Sequence, residues 1–495
     1  MDETLTMIRG LLDAVQLVPA PYERYQPLVV DALVFFLERL PEGRLERIVS
    51  AQLELDADAT PDDRLIALLR ECPTLHKLGQ VVAHERGLPL ALRERLQCLE
   101  SLPPTSDLAE VRATIDREIP AIPALDIEEH ALAEGSVAIV IPFAWSDESG
   151  ERRRGVFKVL KPQAVARLRE ELAIWPALSE FLDAHSVQDR LPTLDYRETL
   201  DGVANLLRSE IDLVREQEHL RWAATFYANT ADVVIPQLLP FSTQNVTAME
   251  RIDGRKVTDA DVKLRVRERL AKTMMTALIA MPFWRASDPP ARFHADPHAG
   301  NLLVTPDGRL AIIDWALVTE LSEAQLSGVV RALLAALTLD ETETMAAIAA
   351  LGRVCDEPAL RAEVALSLAR VRKGALPGFL WLTDVLDRLG RAGDMQFPEE
   401  TTLFRKSMLT LSGVVADVCE RVQADGLLIR SGLRAFLGEL RGRLSAPLDS
   451  RRIGTHLSNA DLIRLWAAVP WIPTRFWLDT WRDALRGRAV IPPHS

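Results

Sequence analysis

Hydrophobic residues recur at helical spacing through residues 1–105 and change to strand spacing shortly afterwards. One predicted helix has its apolar face on Leu108, Val111, Ile115 and Ile119. The runs SVAIVIPFAW and GVFKVL are rich in strand-forming residues and flank the polar, glycine-containing SDESGERRR, which predicts a β-hairpin. Helical spacing then returns from about residue 165 to residue 227.

The second half of the chain is predicted to be mostly helical. Two strand-like runs, VVIPQLLPF and NVTAMERI, lie around residues 233–252. After residue 256 the clear interruption is NLLVTPDGRLAIID, in which Asp307 and Gly308 predict a tight turn between two short strands. The apolar run at residues 273–284 is shorter than the roughly 20 residues that a bilayer requires, so it predicts a buried core helix.

This order of elements predicts an α+β, two-lobed protein-kinase-like fold with helical extensions at both ends. The sheet edges and the second hairpin are expected to line a cleft between the lobes. The predicted segments are an N-terminal helical extension (1–105), an N-lobe (106–255), a helical C-lobe with the catalytic and metal loops (256–440) and a tryptophan- and arginine-rich helical tail (441–495).

Composition and charge narrow the choice of partners. The chain has 58 Lys and Arg against 71 Asp and Glu, a net charge of −13, which argues against a nucleic-acid partner. Cysteines are few and form no CxxC pair, so we predict neither a zinc ribbon nor a disulfide framework, and a reducing cytoplasm fits. The opening MDETLTMIRG is acidic and lacks a long apolar core, so no signal peptide is predicted.

Residues 293–314 carry the candidate chemistry. Phosphoryl transfer requires a metal ion that neutralises phosphate charge, a lysine that holds the phosphates and a carboxylate that positions the acceptor. Asn301 follows Asp296 by five residues, and Asp314 ends the run LAIID. We predict ATP as nucleotide and Mg²⁺ as cofactor, with Asp296 catalytic and Asn301 and Asp314 binding the metal. The alternative is that these residues only form turns and cap a strand.

His294 and His298 form an HxxxH pair around Asp296, which raises a zinc site as an alternative. Pro297 and Gly300 disfavour a continuous helix here, and no HExxH glutamate is present. We therefore favour the interpretation that both histidines orient the loop.

The phosphate-binding lysine is expected on an earlier strand. Lys158 lies in the alternating run GVFKVLKP, whereas Lys161 precedes Pro162 at the strand end and is less suitable. A carboxylate that holds Lys158 towards the phosphates is expected within SEIDLVREQEHL, residues 209–220.

Several segments together resemble the UbiB/AarF/ADCK family of atypical protein-kinase-like proteins. LHKLGQ is similar to the family's KxGQ segment, SEIDLVREQEHL to its ExD segment and FHADPHAGNLLV to its catalytic loop, and the resemblance runs from about residue 70 to residue 320. It implies a lid in which the KxGQ helix excludes protein substrates, and the matching residues are Lys77, Gly79, Gln80, Glu210 and Asp212. It also implies that Glu216 pairs with Lys158.

The sequence departs from the family pattern in two places, and the first is the phosphate loop. The family's alanine-rich phosphate loop corresponds to ALAEGSVAIV, where Glu134, Gly135 and Ser136 interrupt the alanines. Gly135 and Ser136 are predicted nucleotide contacts, and Glu134 would repel phosphate unless it turned outward. Glu250, in a segment that resembles the family's hinge-crossing strand, is a further predicted contact.

The second departure is Asp-Trp-Ala at residues 314–316 in place of Asp-Phe-Gly, and the missing glycine disfavours a flip of this segment. The sequence IDW also resembles aminoglycoside and choline phosphotransferases, but those enzymes lack KxGQ and ExD.

The tail LWAAVPWIPTRFWLDTWRDALRGR contains Trp466, Trp471, Trp477 and Trp481, with Arg475 among them. One interpretation is peripheral membrane contact. The other, which we favour, is packing against the C-lobe. Pro470 and Pro473 argue against one long helix, and no transmembrane segment is predicted.

Three functions remain open. The first is an ATP- and Mg²⁺-dependent atypical kinase or ATPase that supports isoprenoid-quinone or other lipid metabolism, as the family implies. The second is a small-molecule phosphotransferase, and the third is a nucleotide-binding scaffold without turnover. The acceptor, a small molecule or a lipid, is not identified by the sequence.

Overall fold

The chain divides into two compact units in the computed structural model. Unit 1 comprises residues 1–221 and 237–251, and unit 2 comprises residues 222–236 and 252–495. The structure describes residues 9–10, 12, 15, 17–18, 20–56, 58–82, 108–135, 137–188, 196–260, 262–284, 290–451 and 453–485.

Unit 1 opens with helices, as predicted. They are α1 (Gln26–Glu38), α2 (Glu42–Leu53), α3 (Pro61–Glu71) and α4 (Pro73–Val82). Helix α3 begins at a capping box, because the Thr60 hydroxyl accepts from the Asp63 amide and the Asp63 carboxylate accepts from the Thr60 amide, both at 3.2 Å. Pro61 takes the first helical position, where its missing N–H costs nothing.

Helices and short strands alternate from residue 108 to residue 250. They are α5 (Leu108–Glu118), β1 (Asp126–Ile127), β2 (Ala133–Glu134), β3 (Ala138–Ser146), β4 (Arg152–Leu160), α6 (Pro162–Gln188), α7 (Tyr196–Glu210), α8 (Leu213–Tyr227), β5 (Val233–Val234) and β6 (Val246–Glu250). All belong to unit 1 except β5 and the end of α8.

The unit 1 sheet is antiparallel, in the order β1-β3-β4-β6 with β2 added to β3. The predicted β3–β4 hairpin is confirmed, and Gly150 supplies the positive φ of +77° that its turn requires. Phe143 stacks on Phe157 across the hairpin with ring centroids 3.8 Å apart. Val111 and Ile115 of α5 pack into the same core, which confirms the predicted apolar face of that helix.

Unit 2 is mainly helical. Its elements after residue 252 are β7 (Arg255–Lys256), α9 (Leu264–Met275), α10 (Met281–Trp284), β8 (Ala291–His294), β9 (Leu302–Val304), β10 (Leu310–Ile312), β11 (Val318–Leu321), α11 (Glu323–Leu337), α12 (Glu341–Ala349), β12 (Arg353–Val354), α13 (Glu357–Arg372), α14 (Phe379–Ala392), β13 (Met395–Gln396), α15 (Glu399–Val418), α16 (Ala424–Arg443), α17 (Asn459–Ala468) and α18 (Ile472–Leu485). Together with unit 1, they confirm the predicted α+β class.

Small sheets position the loops of unit 2. One has the order β5-β10-β9-β7, and β8 pairs separately with β11. The β9–β10 hairpin confirms the predicted turn, with Gly308 at φ +82°. The apolar run at residues 273–284 is buried, as predicted, and contains a π-helical turn at Thr276–Ala280 between α9 and α10.

The strand-like runs around residues 233–252 do not pair as one unit. Strand β5 pairs in parallel with β10, in the sheet of unit 2. Strand β6 pairs with β4, and on its other side the amide of Leu239 donates to Ala248 at 2.8 Å. Pro236 and Pro240 flank this short segment, and proline cannot donate to a strand ladder, so the contact stays brief.

The favoured interpretation of the tail, that its tryptophans pack on the rest of the protein, is wrong. Trp466, Trp471, Trp477 and Trp481 are 74%, 60%, 60% and 64% exposed. The reason is that polar contacts hold the tail instead.

One such contact joins the tail to the preceding helices, because Arg475 of α18 donates to the Thr338 carbonyl at 3.0 Å. Another lies within the tail, where Arg451 is 3.0 Å from the Asp461 carboxylate of α17. A 3₁₀ turn at Val469–Trp471 separates the two helices, so the tail is not one long helix, as the prolines predicted. Among the described helices, none combines the length and the apolar content needed to cross a bilayer.

Candidate functional site

A lysine and a glutamate form a buried ion pair in unit 1. Lys158 lies on β4 opposite Val140 of β3 and Thr247 of β6. Its Nζ is 2.9 Å and 2.8 Å from the two carboxylate oxygens of Glu216, in the first turn of α8. The side chains are 13% and 3% exposed, so water screens the pair weakly. The structure thus brings together two residues that were predicted as partners.

Asp212 of the ExD segment acts on the helix that carries Glu216. Its carboxylate accepts from the amide of Arg215 at 3.0 Å, and its carbonyl accepts from the amide of Glu216 at 3.1 Å. The first contact satisfies an amide that has no carbonyl partner within the helix, and the second is the first backbone hydrogen bond of α8. Asp212 therefore fixes where the helix begins, and with it the position of Glu216.

The KxGQ and ExD segments meet within unit 1. Lys77 of α4 forms an ion pair with Glu210, the last residue of α7. Gly79 is buried on the same helix as Lys77. Gln80 also lies on α4, but its side chain falls outside the described structure. Two of the predicted lid residues, Lys77 and Glu210, are therefore in contact.

The start of α4 is held by a buried carboxylate that our sequence interpretation missed. Glu171 of α6 accepts from the amide and the hydroxyl of Thr74, at 2.9 Å and 2.7 Å, and from the Arg44 guanidinium at 2.5 Å. Burial raises the pKa of the Glu171 carboxyl. The signal for this anchor was present, because Glu171 shares a helical face with the apolar residues Leu168 and Leu172.

The side chain of Glu134, expected to repel phosphate unless it turned outward, is only 9% exposed. Its carboxylate lies 3.0 Å from the ammonium of Lys161, which also donates to the Gly135 carbonyl at 2.8 Å. The paired cation offsets the negative charge in the phosphate loop. Lys161, considered only as an alternative to Lys158, thus has a structural role. Ser136 lies outside the described residues.

Glu250, the last predicted nucleotide contact, ends β6 and is exposed. Its amide donates to the Gln237 carbonyl at 2.9 Å, which fixes the backbone. Its cross-strand partner on β4 is Gly155, three residues before Lys158, so the two predicted nucleotide contacts lie on neighbouring strands without being opposite each other.

His294 links the predicted catalytic and metal-binding segments in unit 2. It is buried at the end of β8, and burial lowers the pKa of its imidazole, so the ring is neutral. Its Nδ1 accepts from the Asp296 amide at 3.2 Å, and its Nε2 pairs with the Asp314 carbonyl at 2.6 Å. A carbonyl only accepts, so Nε2 carries the proton. His298 accepts from the Gly300 amide at 3.0 Å, so each histidine bonds the loop's own backbone.

The predicted magnesium ligands present the right chemistry. The amide nitrogen of Asn301 donates to the Asp296 carbonyl at 3.1 Å, so the amide oxygen is the atom of this side chain that could bind a cation. One carboxylate oxygen of Asp314 accepts from the Ala316 amide at 2.9 Å, which fixes the side chain. Oxygen atoms of amides and carboxylates are the ligands that Mg²⁺ prefers. These residues therefore fit a magnesium ion.

Comparison with known proteins identifies the domain. Residues 111–348 match the ABC1 atypical kinase-like domain. Residues 111–348, just under half of the chain, are an ABC1 atypical kinase-like domain. The resemblance to UbiB/AarF proteins predicted from the sequence is therefore confirmed, and so is the kinase-like fold class.

Relatives of this chain match at low identity. Protein ACTIVITY OF BC1 COMPLEX KINASE 3, chloroplastic, of Arabidopsis thaliana is 26% identical over 51% of this chain and 35% of its own length. The probable protein kinase UbiB of Xanthomonas oryzae pv. oryzae is 24% identical over 59% of this chain and 55% of its own length. The chain thus spans about a third to just over half of these relatives.

One solved structure, a complex of Rv3197 with erythromycin from Mycobacterium tuberculosis, is similar with a TM-score of 0.47 and 18% identity. It covers 80% of this chain and 89% of its own. The ABC1 match itself includes Lys158, Glu216, Asp296 and Asp314, whereas Lys77 and everything after residue 348 lie outside it.

Trp315, the unusual residue after the predicted metal ligand Asp314, is a core residue. It is 1% exposed, and its ring meets His294 edge to face at a centroid distance of 4.9 Å. Its Nε1 donates to the Ile312 carbonyl at 3.3 Å, and Trp222 and Tyr227 pack around it. Trp315 therefore supports the histidine that joins the catalytic and metal segments.

Proposed function

We propose that this chain is an atypical kinase or ATPase that binds Mg-ATP and transfers its γ-phosphoryl group to water or to a small-molecule or lipid acceptor. One observation carries the proposal: the side chains that the reaction needs are present, and a specific neighbour holds each of them. Glu216 holds Lys158 in unit 1, and His294 holds the segments of Asp296 and Asp314 in unit 2. A scaffold without turnover would not need the complete set.

In the proposed reaction the acceptor oxygen attacks the γ-phosphorus. The bond from that phosphorus to the β,γ-bridging oxygen breaks, and ADP leaves with the bonding electrons. Asp296 accepts the proton of the acceptor hydroxyl, and Lys158 neutralises the α- and β-phosphates. Asn301 and Asp314 would hold magnesium, which would neutralise phosphate charge during the transfer.

The Lys77–Glu210 pair supports a restricted choice of acceptor. It joins α4 to the end of α7, two residues before the Asp212 that fixes α8. We propose that this lid excludes protein acceptors, as the family resemblance implies, and that the pathway concerns isoprenoid quinones or other lipids. Trp315 gives no support to an aminoglycoside- or choline-kinase-like function, because its burial in the core accounts for the IDW sequence.

ATP turnover tests the proposal directly. We expect the purified chain to release ADP in the presence of Mg²⁺. ADP release should stop when EDTA is added, because the phosphate charge is then no longer neutralised by the metal ion. The assay is run with water alone, with phospholipid vesicles and with hydroxylated small molecules as acceptors. Nucleotide binding without turnover would show a scaffold, and phosphorylation of a small molecule faster than hydrolysis would show a phosphotransferase.

We further propose that unit 2 contacts an anionic lipid surface through α16 and the tail. Helix α16 exposes apolar residues spaced three or four apart, on one face: Ile429, Leu433, Leu437, Leu440 and Leu444. Exposed arginines border this stripe at Arg430, Arg434 and Arg441.

The two carboxylates of α16 have partners other than the exposed arginines. Asp425 accepts from the Leu380 amide at 3.0 Å, and Glu439 lies 3.1 Å from Arg443. The exposed face is thus apolar and basic in a chain of net charge −13. Two copies of this face would bring arginines together, so anionic lipid fits it better than a second copy. The exposed tryptophans of α17 and α18 are typical of membrane interfaces.

Vesicle flotation tests this surface. We expect the wild type to float with phosphatidylserine-containing vesicles and less with phosphatidylcholine alone. Reversing Arg430, Arg434 and Arg441 to Glu should lower binding more than 100-fold, because each basic residue near such a surface contributes about 1 kcal/mol. Replacing the four tail tryptophans with Ser should also lower it.

Arg361→Glu on α13 is the matched control, since Arg361 is 59% exposed and far along the chain from α16. Equal flotation of wild type and the triple reversal would exclude a lipid contact through α16. Failure of the wild type to float would contradict the lipid proposal. Elution of the wild type as a dimer that the triple reversal dissociates would show that this face binds a second copy of the chain instead of lipid.

A further inference from the structure

A lysine beyond the ABC1 match lies beside the predicted catalytic carboxylate. Lys406 of α15 has its Nζ 3.3 Å from one carboxylate oxygen of Asp296. The Lys406 side chain is 52% exposed and that of Asp296 is 30% exposed, so solvent reaches both. The ammonium is therefore held at the predicted reaction centre and not buried in a structural ion pair.

The position of Lys406 is fixed on both sides along its helix. The next residue, Ser407, is buried and donates from its hydroxyl to the His294 carbonyl at 2.7 Å. Two residues before Lys406, the ring of Phe404 meets Phe293 at a centroid distance of 4.8 Å. Phe293 and His294 end β8, directly before the catalytic loop. Helix α15 therefore cannot slide along β8 without losing both contacts.

A third contact joins the start of α15 to β11, the strand that pairs with β8. The Thr319 hydroxyl donates to the Glu400 carbonyl at 3.1 Å, and Thr319 of β11 lies opposite Phe293 in the β8–β11 ladder. The helix is thus attached to both strands that carry the catalytic and metal segments. This attachment makes the placement of Lys406 a property of the fold rather than of one flexible side chain.

The charge around the loop gives Lys406 its significance. Residues 294–301 contain no lysine or arginine. The arginines on neighbouring elements have carboxylate partners of their own, because Arg292 lies 2.7 Å from Glu320 and Arg309 lies 2.6 Å from Asp307. The other Asp296 oxygen has His298 at 3.8 Å. Within the described part of the chain, the fold therefore brings the ammonium of Lys406 to Asp296 from a distant helix.

We propose that Lys406 is a catalytic residue that binds the γ-phosphoryl group during its transfer. The inference rests on the proposed function. An acceptor oxygen bonded to Asp296 places the transferred phosphoryl group next to that carboxylate, within reach of an ammonium 3.3 Å away. An ammonium has three donors, so Lys406 contacts Asp296 and a non-bridging phosphoryl oxygen together. It stays protonated throughout, and the acceptor proton goes to Asp296.

The nucleotide itself separates this role from a structural one. ADP lacks the γ-phosphate, so a lysine that binds that group has no contact with ADP. A lysine that only positions Asp296 would leave the affinities for ATP and ADP equally unchanged, and one that supports the fold would change both and lower the melting temperature. Lys406→Met removes the charge at similar volume, and Lys406→Arg keeps it.

We expect K406M to lower kcat about 100-fold, which is typical for the loss of one donor to transition-state charge. Affinity for a non-hydrolysable Mg-ATP analogue should fall severalfold, while affinity for Mg-ADP and the melting temperature stay unchanged. K406R should recover at least a tenth of the wild-type rate. Lys373→Met, at the exposed C-terminal end of α13, is the control and should match the wild type.

The outcomes distinguish this inference from the proposed function. Wild-type turnover that K406M leaves within threefold would overturn the role of Lys406 alone, as would an equal loss of ATP-analogue and ADP affinity. A wild type that binds nucleotide without turnover contradicts the proposed enzymatic function. In that case, the affinities of K406M for the ATP analogue and for ADP still show whether Lys406 contacts the γ-phosphate, because only the first should fall. A wild type that binds neither nucleotide overturns both.

Discussion

Asp314→Asn is expected to reduce Mg²⁺-dependent ATP turnover by at least about 100-fold, since a metal at a transferring phosphoryl group contributes several kcal/mol of charge stabilisation. The substitution removes one negative charge from a predicted metal ligand and changes the size of the side chain little. The amide oxygen still accepts from the Ala316 amide, as the carboxylate does at 2.9 Å. The His294 contact to this residue is made by the backbone carbonyl, so it also survives.

The segment should therefore remain folded while metal binding fails. The measurement is ADP release against Mg²⁺ concentration, with thermal melting recorded on the same samples. Affinity for Mg-ATP should fall more than affinity for ATP in EDTA, because only the first depends on the metal ligands.

Asp307→Asn is the matched control on the same hairpin. Asp307 is exposed in the β9–β10 turn, where hydrogen bonds from Thr305 and Arg309 lower the pKa of its carboxyl. The same chemical change there should leave turnover at the wild-type level, because exposed ion pairs contribute little. Equal losses in the two variants, or an Asp314 variant as active as the wild type, would contradict the assignment of Asp314 as a metal ligand.

Local patterns were sufficient to predict two hairpins of this protein. Alternating apolar residues around a polar, glycine-containing segment predicted the β3–β4 hairpin, and Asp307-Gly308 predicted the β9–β10 turn. These features depend on residues within about ten positions of each other, where sequence and backbone geometry are directly coupled. Lys158 was predicted as the phosphate-binding lysine from a similar local pattern, the alternation of apolar and polar residues along its strand. Its partner Glu216 needed the family resemblance, since 58 residues separate the two.

Contacts between distant segments were not predictable in this way. Glu171 meets Thr74 across 97 positions, and Lys406 meets Asp296 across 110. Neither pair has a motif, because the match is made by the packing of whole helices. The predicted packing of the tail tryptophans was wrong for a related reason. Helical spacing shows that tryptophans lie on the surface of a helix, but it does not show whether another element covers them. The roles of the site residues and the four segment boundaries stay predictions.

The second large effect is expected at Lys158. Lys158→Met should remove ATP turnover to below a hundredth of the wild-type rate, because the lysine is the predicted contact to the α- and β-phosphates. It should also destabilise unit 1, since Glu216 is 3% exposed and loses a cation at 2.8 Å. Removing one partner of a buried pair costs about 3–5 kcal/mol. Both losses follow from one substitution, so turnover alone cannot separate them.

Two companion variants make that separation. Lys158→Met with Glu216→Met removes the buried charge together with its partner, so the melting temperature should recover while turnover does not. Lys158→Arg keeps a positive charge for Glu216 but places it differently, because a planar guanidinium cannot reproduce a compact ammonium. It should fold well and turn over slowly. Restored turnover in the double variant would show that Lys158 acts only through stability, and an unchanged rate in all three would remove it from the site. If stability and turnover instead respond separately, Glu216 is a positioning residue that holds Lys158 for the nucleotide.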